Sequence, residues 1–442
     1  MFNKELKISV QSFATLFAFL FVLMNIFPPF KSIPGYNFVT LLPLLLWVAC
    51  AFLQNPAFFT IFSKNPLHRQ VVIFFAAYTI LIPYLFGNGI IGNRYLVFAQ
   101  LLSFYFIYQY NRYYGYERSS FRIVMWSLPF VLITSIITFY SLRTNPWLAR
   151  SIKSSGEYSA QVQSQGFGGY EFIYFLVFIC ILILFIALNR GFISLSRTKQ
   201  LFFGIILLQL FSTVLYANFF TALVLFFIAA TILILIRKST MGVKLTWIFM
   251  AILLLIQGKA LFFMISNWLI ANLNAGRTAE RLIEIQLKVL GTGGQESLLS
   301  ERAPVFQASI DAFLDNPVFG MMTTQLSYDG GFLTGFGQHS QILDTFALYG
   351  FAIGLVNLYI ISQPFLTRMK SHPYLFGLNV AMLISVLILF TSNNVTPSIG
   401  YAIFFIYPVI YDLILDLPEN KEVNKTKVPT RPYGHRVKET AS

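Results

Sequence analysis

Charge is scarce in this sequence. Only 11% of its 442 residues are Asp, Glu, Lys or Arg, whereas 57% are hydrophobic and 17% aromatic. So small a share of charge excludes a chain wrapped mainly in water-facing surface, and makes lipid its principal solvent. Cysteine is scarcer still. Cys50 and Cys180 both fall in apolar runs, where they pack as small hydrophobes and supply no disulfide framework. The sequence has no Asp-x-Asp and no His/Cys ligand cluster, so metal chemistry has no visible ligand set and no cofactor is expected. A Walker-type glycine loop and a Gly-x-Ser-x-Gly elbow are also missing, which leaves ATP hydrolysis and elbow-type serine hydrolysis unsupported.

What the chain has in abundance is apolar runs of about 20 residues, the length that crosses a hydrocarbon core about 30 Å thick. They fall near 8–27, 36–53, 70–86, 95–110, 123–141, 170–188, 200–217, 219–236, 245–265, 340–362, 374–391 and 398–415. This pattern predicts an all-α polytopic membrane protein with about 12 transmembrane helices. A membrane domain covers 1–418, and a polar, basic tail, read as disordered, covers 419–442. Residues 200–236 read as two spans because Arg197 and Lys199 before them and Arg237 and Lys238 after them then return to one side.

Placing the amino terminus in the cytoplasm leaves 21 of the 31 Lys and Arg inside and 10 outside, with acidic residues 7 inside and 10 outside. The formal charge of +14 then serves insertion and anionic inner-leaflet lipid, and nucleic acid is not an expected partner. Both termini are placed in the cytoplasm. Pro28-Pro29 follows the first run without a small-x-small cleavage pattern, so that run reads as a retained anchor.

Two outer segments are longer than hairpins, residues 142–169 and 266–339. The first is polar, rich in Gly and Ser, and carries Arg143, Arg150 and Lys153 near its start; it reads as a mobile, partly cationic loop. In the second, Arg277–Leu290 separates its faces at helical spacing, with Arg277, Arg281, Glu284 and Lys288 on a polar stripe and Leu282, Ile285 and Val289 on an apolar one. A second amphipathic helix is expected between a Ser300 cap and an Asn316-Pro317 stop, with Arg302, Phe306, Ile310 and Phe313 on one face. A glycine-rich stretch from Gly330 then leads to His339 at the outer end of the tenth span.

His339 is the leading acid/base candidate, since imidazole accepts a proton near neutral pH and this one stands at a membrane–water boundary. The plainer reading is an interfacial histidine bonded to a loop carbonyl. His68, His372 and His435 read as ordinary cytoplasmic loop residues. Arg277, Arg281 and Arg302 are candidates for an anionic substrate, because guanidinium forks match phosphate oxygens and stay charged. Glu280, Glu284 and Glu301 lie close enough in sequence to make local ion pairs with them, the solvated-face alternative. Lys259, within an apolar run, reads as snorkelling to the outer headgroups.

The stretch RAPVFQASIDAFLDNPVFG from Arg302, then glycines, then HSQILDTFALYGFAIG ending at Gly354, resembles the O-antigen polymerase and ligase superfamily. Members carry an Arg-led helix ending in an Asn/Asp-Pro-x-x-Gly turn, then a His followed by Asn or Ser, then glycines in the next span. Arg302, Asn316, Pro317, Gly320, His339, Ser340, Gly350 and Gly354 match that pattern over about fifty residues. Two positions depart from it. The corner between the seventh and eighth spans reads Tyr216-Ala217-Asn218 where many relatives have a Ser-Arg-Gly-like corner, and Ile353 stands where the ligase pattern has its second small residue.

The resemblance implies a GT-C-like, metal-independent glycosyltransferase of the bacterial inner membrane, joining undecaprenyl pyrophosphate-linked glycans at the outer leaflet. His339 would be the base, and Arg302, with Arg277 and Arg281, would bind pyrophosphate. The implied partners are lipid-linked donor and acceptor glycans and a chain-length regulator protein. Polymerase is favoured over a ligase acting on lipid A core or protein. A flippase or other transporter is the reading from another class, but ionisable groups cluster at the outer rim and loops, not inside spans.

Overall fold

The computed structural model describes residues 4–33, 35–57, 66–76, 92–145, 148, 156–188, 196–217, 219–236, 263–271, 277–290, 303–321, 340–372, 375–393 and 396–415. Among them the secondary structure is helical throughout, with no strand. The principal helices are α1 (Lys4–Ile26), α2 (Leu41–Gln54), α3 (Pro66–Ala76), α4 (Gly92–Tyr113), α5 (Glu117–Thr144), α6 (Gly156–Ser164) and α7 (Tyr170–Leu188). They continue with α8 (Arg197–Tyr216), α9 (Phe220–Ile236), α10 (Arg277–Leu290), α11 (Ala303–Asp315), α12 (Gln341–Ser371), α13 (Phe376–Ser392) and α14 (Pro397–Leu415), the last with a π-helical stretch over Ala402–Ile406. Five of these, α5, α7, α8, α12 and α14, are long and apolar enough to cross a membrane, and shorter apolar helices cover Val10–Ile26, Leu41–Gln54, Phe220–Ile236 and Phe376–Ser392. The chain is an α-helical membrane protein.

α7 forms the centre. Every residue from Phe172 to Ile183 is buried, because a helix apolar on all sides is accommodated only where other helices surround it. It packs against α8, α9, α13 and α14, while α1 packs against α2 and α5. Between apolar helices in lipid, small side chains and interhelical hydrogen bonds set the pairing. Ser135 and Thr213 join α5 to α8 at 2.8 Å, Ser127 and Tyr401 join α5 to α14 at 2.8 Å, and Tyr407 of α14 donates to Asn379 of α13. The stretch 200–236 forms two helices, α8 and α9, with a turn at Ala217 at the end of α8.

These contacts sort the helix ends into two sets. At the near end, where α1 begins, Gln11 donates to Ser119 at 3.2 Å and Asn55 to Tyr110 at 2.9 Å. There too the Arg368 guanidinium lies over the rings of Tyr108, Tyr407 and Tyr411, and Tyr108 donates to Asp412 at 2.5 Å. At the far end Lys31 pairs with Glu171 at 2.5 Å, and the Gln341 amide donates to the Asn393 carbonyl at 3.3 Å.

Three expectations change. The segment 142–169 is not a mobile loop throughout: α6 forms within it, Phe167 is buried, and the Gly168 amide donates to Thr138 at 2.8 Å. The aromatic ring of Phe167 gives this polar stretch its anchor. His68 is no loop residue, since it lies in α3, buried, with its ring edge-on to Tyr105. The run expected over 36–53 is broken at Thr40 into a one-turn helix, Tyr36–Val39, and α2. Of the run at 70–86 only 70–76 lies among the described residues, and of that at 245–265 only 263–265.

Candidate functional site

α10 occupies Arg277–Leu290 as its amphipathic spacing requires, with Ala279 and Leu282 buried. Its Gln286 amide donates to Ser266 at 2.5 Å and to Asn267 at 2.8 Å, tying it to the helical residues 263–271. Arg277 and Arg281 stand on the first turns of this helix, and their side chains lie outside the described residues. Arg302, His339 and Lys259 lie outside them as well.

Arg302 immediately precedes α11 and His339 immediately precedes Ser340, the N-cap of α12. α11 and α12 pack together in parallel: Ser309 donates to Asp344 at 2.7 Å, and one turn further Phe313 meets Phe346 edge-on, ring centroids 5.6 Å apart. The start of each helix therefore lies toward the far end. Ser309 and Ala312 are the buried residues of α11; of the residues expected to share one face, Phe306 and Phe313 are partly buried, Phe313 against α12, while Ile310 is exposed. Small residues face α12 because they let the two backbones come close.

Ser340 and Asp344 cap the first turn of α12 reciprocally. The Leu343 amide donates to Ser340 Oγ at 3.1 Å, while the Ser340 amide donates to Asp344 Oδ2 at 3.2 Å. This satisfies donors that a helix start leaves without partners in its own ladder. Asp344 thus serves two elements, fixing the backbone that leads out of His339 and holding α11 through Ser309.

Beyond Asp315 the chain turns at Asn316-Pro317 and docks antiparallel against a break in α12. The Met321 amide donates to the Ala347 carbonyl and the Phe351 amide to the Pro317 carbonyl, each at 2.8 Å. Gly350, at φ 73° and ψ −173°, makes the break, a backbone region open in practice only to glycine. Gly320 has φ +72°, and a Cβ there would collide with the backbone of Leu348 and Tyr349; one on Gly350 would collide with the Val318 carbonyl. The Asn316-Pro317-x-x-Gly320 turn and the glycine of the next span are therefore two halves of one joint.

Other far-end groups near α12 were not legible as site residues. The Asn393 amide reaches the Tyr174 hydroxyl at 3.4 Å, and Tyr170, beside Glu171, packs on Tyr174 and Phe219. The Lys31 side chain is only 17% exposed; burial lowers its pKa, but the Glu171 carboxylate beside it, together with Tyr36, more than offsets this and raises it. Lys31 and Glu171 are 140 residues apart in sequence, a separation at which no local pattern signals a pair. No group of three or more His, Cys, Asp or Glu able to hold a metal ion occurs among the described residues. No protein-family model matches the chain, and no curated protein matches it.

Proposed function

We propose that the chain is a polysaccharide repeat-unit polymerase, a glycosyltransferase with twelve spans and a GT-C-like architecture. It works in a bacterial inner membrane, its near end in the cytoplasm and its far end outside. The observation that carries this reading is the joint between α11 and α12, which brings together at one packed unit the two helices that follow Arg302 and His339. Six of the eight residues on which the resemblance rests, Asn316, Pro317, Gly320, Ser340, Gly350 and Gly354, belong to this unit.

In the reaction, a hydroxyl of an incoming lipid-linked unit attacks the reducing-end sugar carbon of the growing glycan. A new C–O bond forms, the bond to pyrophosphate breaks, and polyprenyl pyrophosphate leaves with the electron pair. His339 accepts the hydroxyl proton, a step in which a positioned base contributes about 10² to 10⁴-fold. Arg302, aided by Arg277 and Arg281, stabilises the charge that grows on the pyrophosphate. The apolar spans hold the polyprenyl tails, so both substrates approach from the bilayer, and a chain-length regulator is the expected protein partner.

The test is the lipid-linked glycan that accumulates when the gene is deleted. Single repeat units on the lipid, accessible from outside, are the expected result. Long lipid-linked chains would instead assign a ligase, and units trapped on the cytoplasmic side a flippase.

A further inference from the structure

We propose that α11 and the turn after it rest in the membrane itself, their apolar edge covered by the acyl chains of outer-leaflet lipid. Ser309 and Ala312 of α11 face α12, and its exposed side carries the polar Gln307 and Asp311, joined by a 2.7 Å hydrogen bond, and beside them, running toward the turn, an apolar edge of Ile310 and Leu314. That edge runs on into the turn, where Val318 and Phe319 are 63% and 70% exposed.

The occupant follows from continuity. Pro317 and Val318 lie directly against Gly350 and Phe351, and from Phe351 an exposed stripe descends α12 through Leu355 and Tyr359 at four-residue spacing. α12 is one of the helices long and apolar enough to span a membrane, so this stripe is its lipid-facing side. The apolar edge of α11 and its turn extends the same surface upward without a polar interruption between Val318 and Phe351.

Depth agrees with this. Counting about 20 residues, one hydrocarbon crossing, back from Arg368 near the other end of α12 reaches Leu348. The 317–321 turn docks on residues 347–351, so it meets the boundary between acyl chains and headgroups, the level at which amphipathic helices lie with their apolar face down. The polar edge bearing Gln307 and Asp311 is then left to the headgroups and water. This placement holds whatever reaction the chain performs.

The experiment uses the full-length protein in lipid nanodiscs, with Cys50 and Cys180 replaced and one spin label at a time introduced through Leu314→Cys, Phe319→Cys, Leu355→Cys or Gln307→Cys. Collision with oxygen, which concentrates in acyl chains, is compared with collision with a water-soluble nickel chelate. Labels at Leu314 and Phe319 should match the one at Leu355, oxygen-rich and chelate-poor, while the one at Gln307 should be chelate-rich. A membrane-impermeant maleimide should modify Phe319→Cys about tenfold more slowly than Gln307→Cys, the factor that burying one apolar side chain supplies. Equal chelate access and equal modification at Leu314, Phe319 and Gln307 would overturn the proposal. So would exclusion of both probes together with dipolar coupling between labels on two copies, since a second copy would then cover the edge.

Discussion

The backbone amide of Phe351 donates to the Pro317 carbonyl at 2.8 Å, although in an unbroken helix it would reach Ala347. The Ala347 carbonyl it forgoes accepts from Met321 instead, also at 2.8 Å. One helical bond of α12 is thus exchanged for two bonds to the turn, which keep the Phe351 amide and the Ala347 carbonyl paired where an unpaired backbone group would be costly.

Gly320→Ala and Gly350→Ala should each destabilise the protein by about 2 kcal/mol or more, since both combine a positive φ with collision against backbone. Gly354→Ala should cost less, because Gly354 has no positive φ and the atoms nearest its added methyl belong to the Phe346 side chain, not to backbone. Thermal unfolding of the three variants in detergent checks the order. Equal losses at all three would remove the special standing of the joint.

Asp344 is buried and accepts from both Ser309 and the Ser340 amide. Asp344→Ala leaves those donors without this acceptor and should cost about 1–3 kcal/mol, whereas Asp344→Asn keeps one acceptor oxygen and should cost less. Hydrogen exchange should quicken in α11 and the first turn of α12 while α7 stays protected. Unchanged exchange in α11 would show that Ser309–Asp344 does not hold it.

The apolar helices and the two amphipathic helices, α10 and α11, were legible because apolar runs and helical periodicity are written locally. α10 matches its expected range, and α11 stops at Asp315 as Asn316-Pro317 signals. The joint was legible only as a motif. That Gly320 meets the backbone of Leu348 and Tyr349, and Gly350 that of Val318 and Phe319, depends on bonds from Phe351 to Pro317 and from Met321 to Ala347, which no spacing rule encodes. Asp344 was missed because one carboxylate beside a serine cap reads as a first-turn acid favoured by the helix dipole. Lys31–Glu171 was missed because its two residues lie 140 apart in sequence.

Burial holds the His372 imidazole below the usual histidine range; Asp412 opposes this, while Arg112 and Arg368 reinforce it. Folding therefore favours the neutral ring. Its contribution is fully present above the unfolded value of about 6.5 and is lost as pH falls below it, because the unfolded chain then binds the proton more readily. The stability of the native protein should drop between pH 7.5 and 5.5, and His372→Gln, neutral throughout, should drop less. An identical pH dependence for both would exclude His372 as its source.

Arg302→Lys keeps the charge but loses the fork, so it should retain part of the polymer yield, and Arg302→Ala should lose more. Near-normal yield from both, at matched protein level, would return Arg302 to a solvated helix start.

The most direct measurement of the proposed reaction is polymer formation by purified protein from lipid pyrophosphate-linked repeat units in EDTA, comparing native protein with His339→Gln. The glutamine can keep a structural hydrogen bond but cannot act as a base near pH 7. The native protein should lengthen the glycan without divalent cation, and His339→Gln should lose about 10²-fold or more of the rate while its folded yield stays normal. Long chains made by His339→Gln at the native rate, or native activity that returns only with magnesium or manganese, would contradict the account.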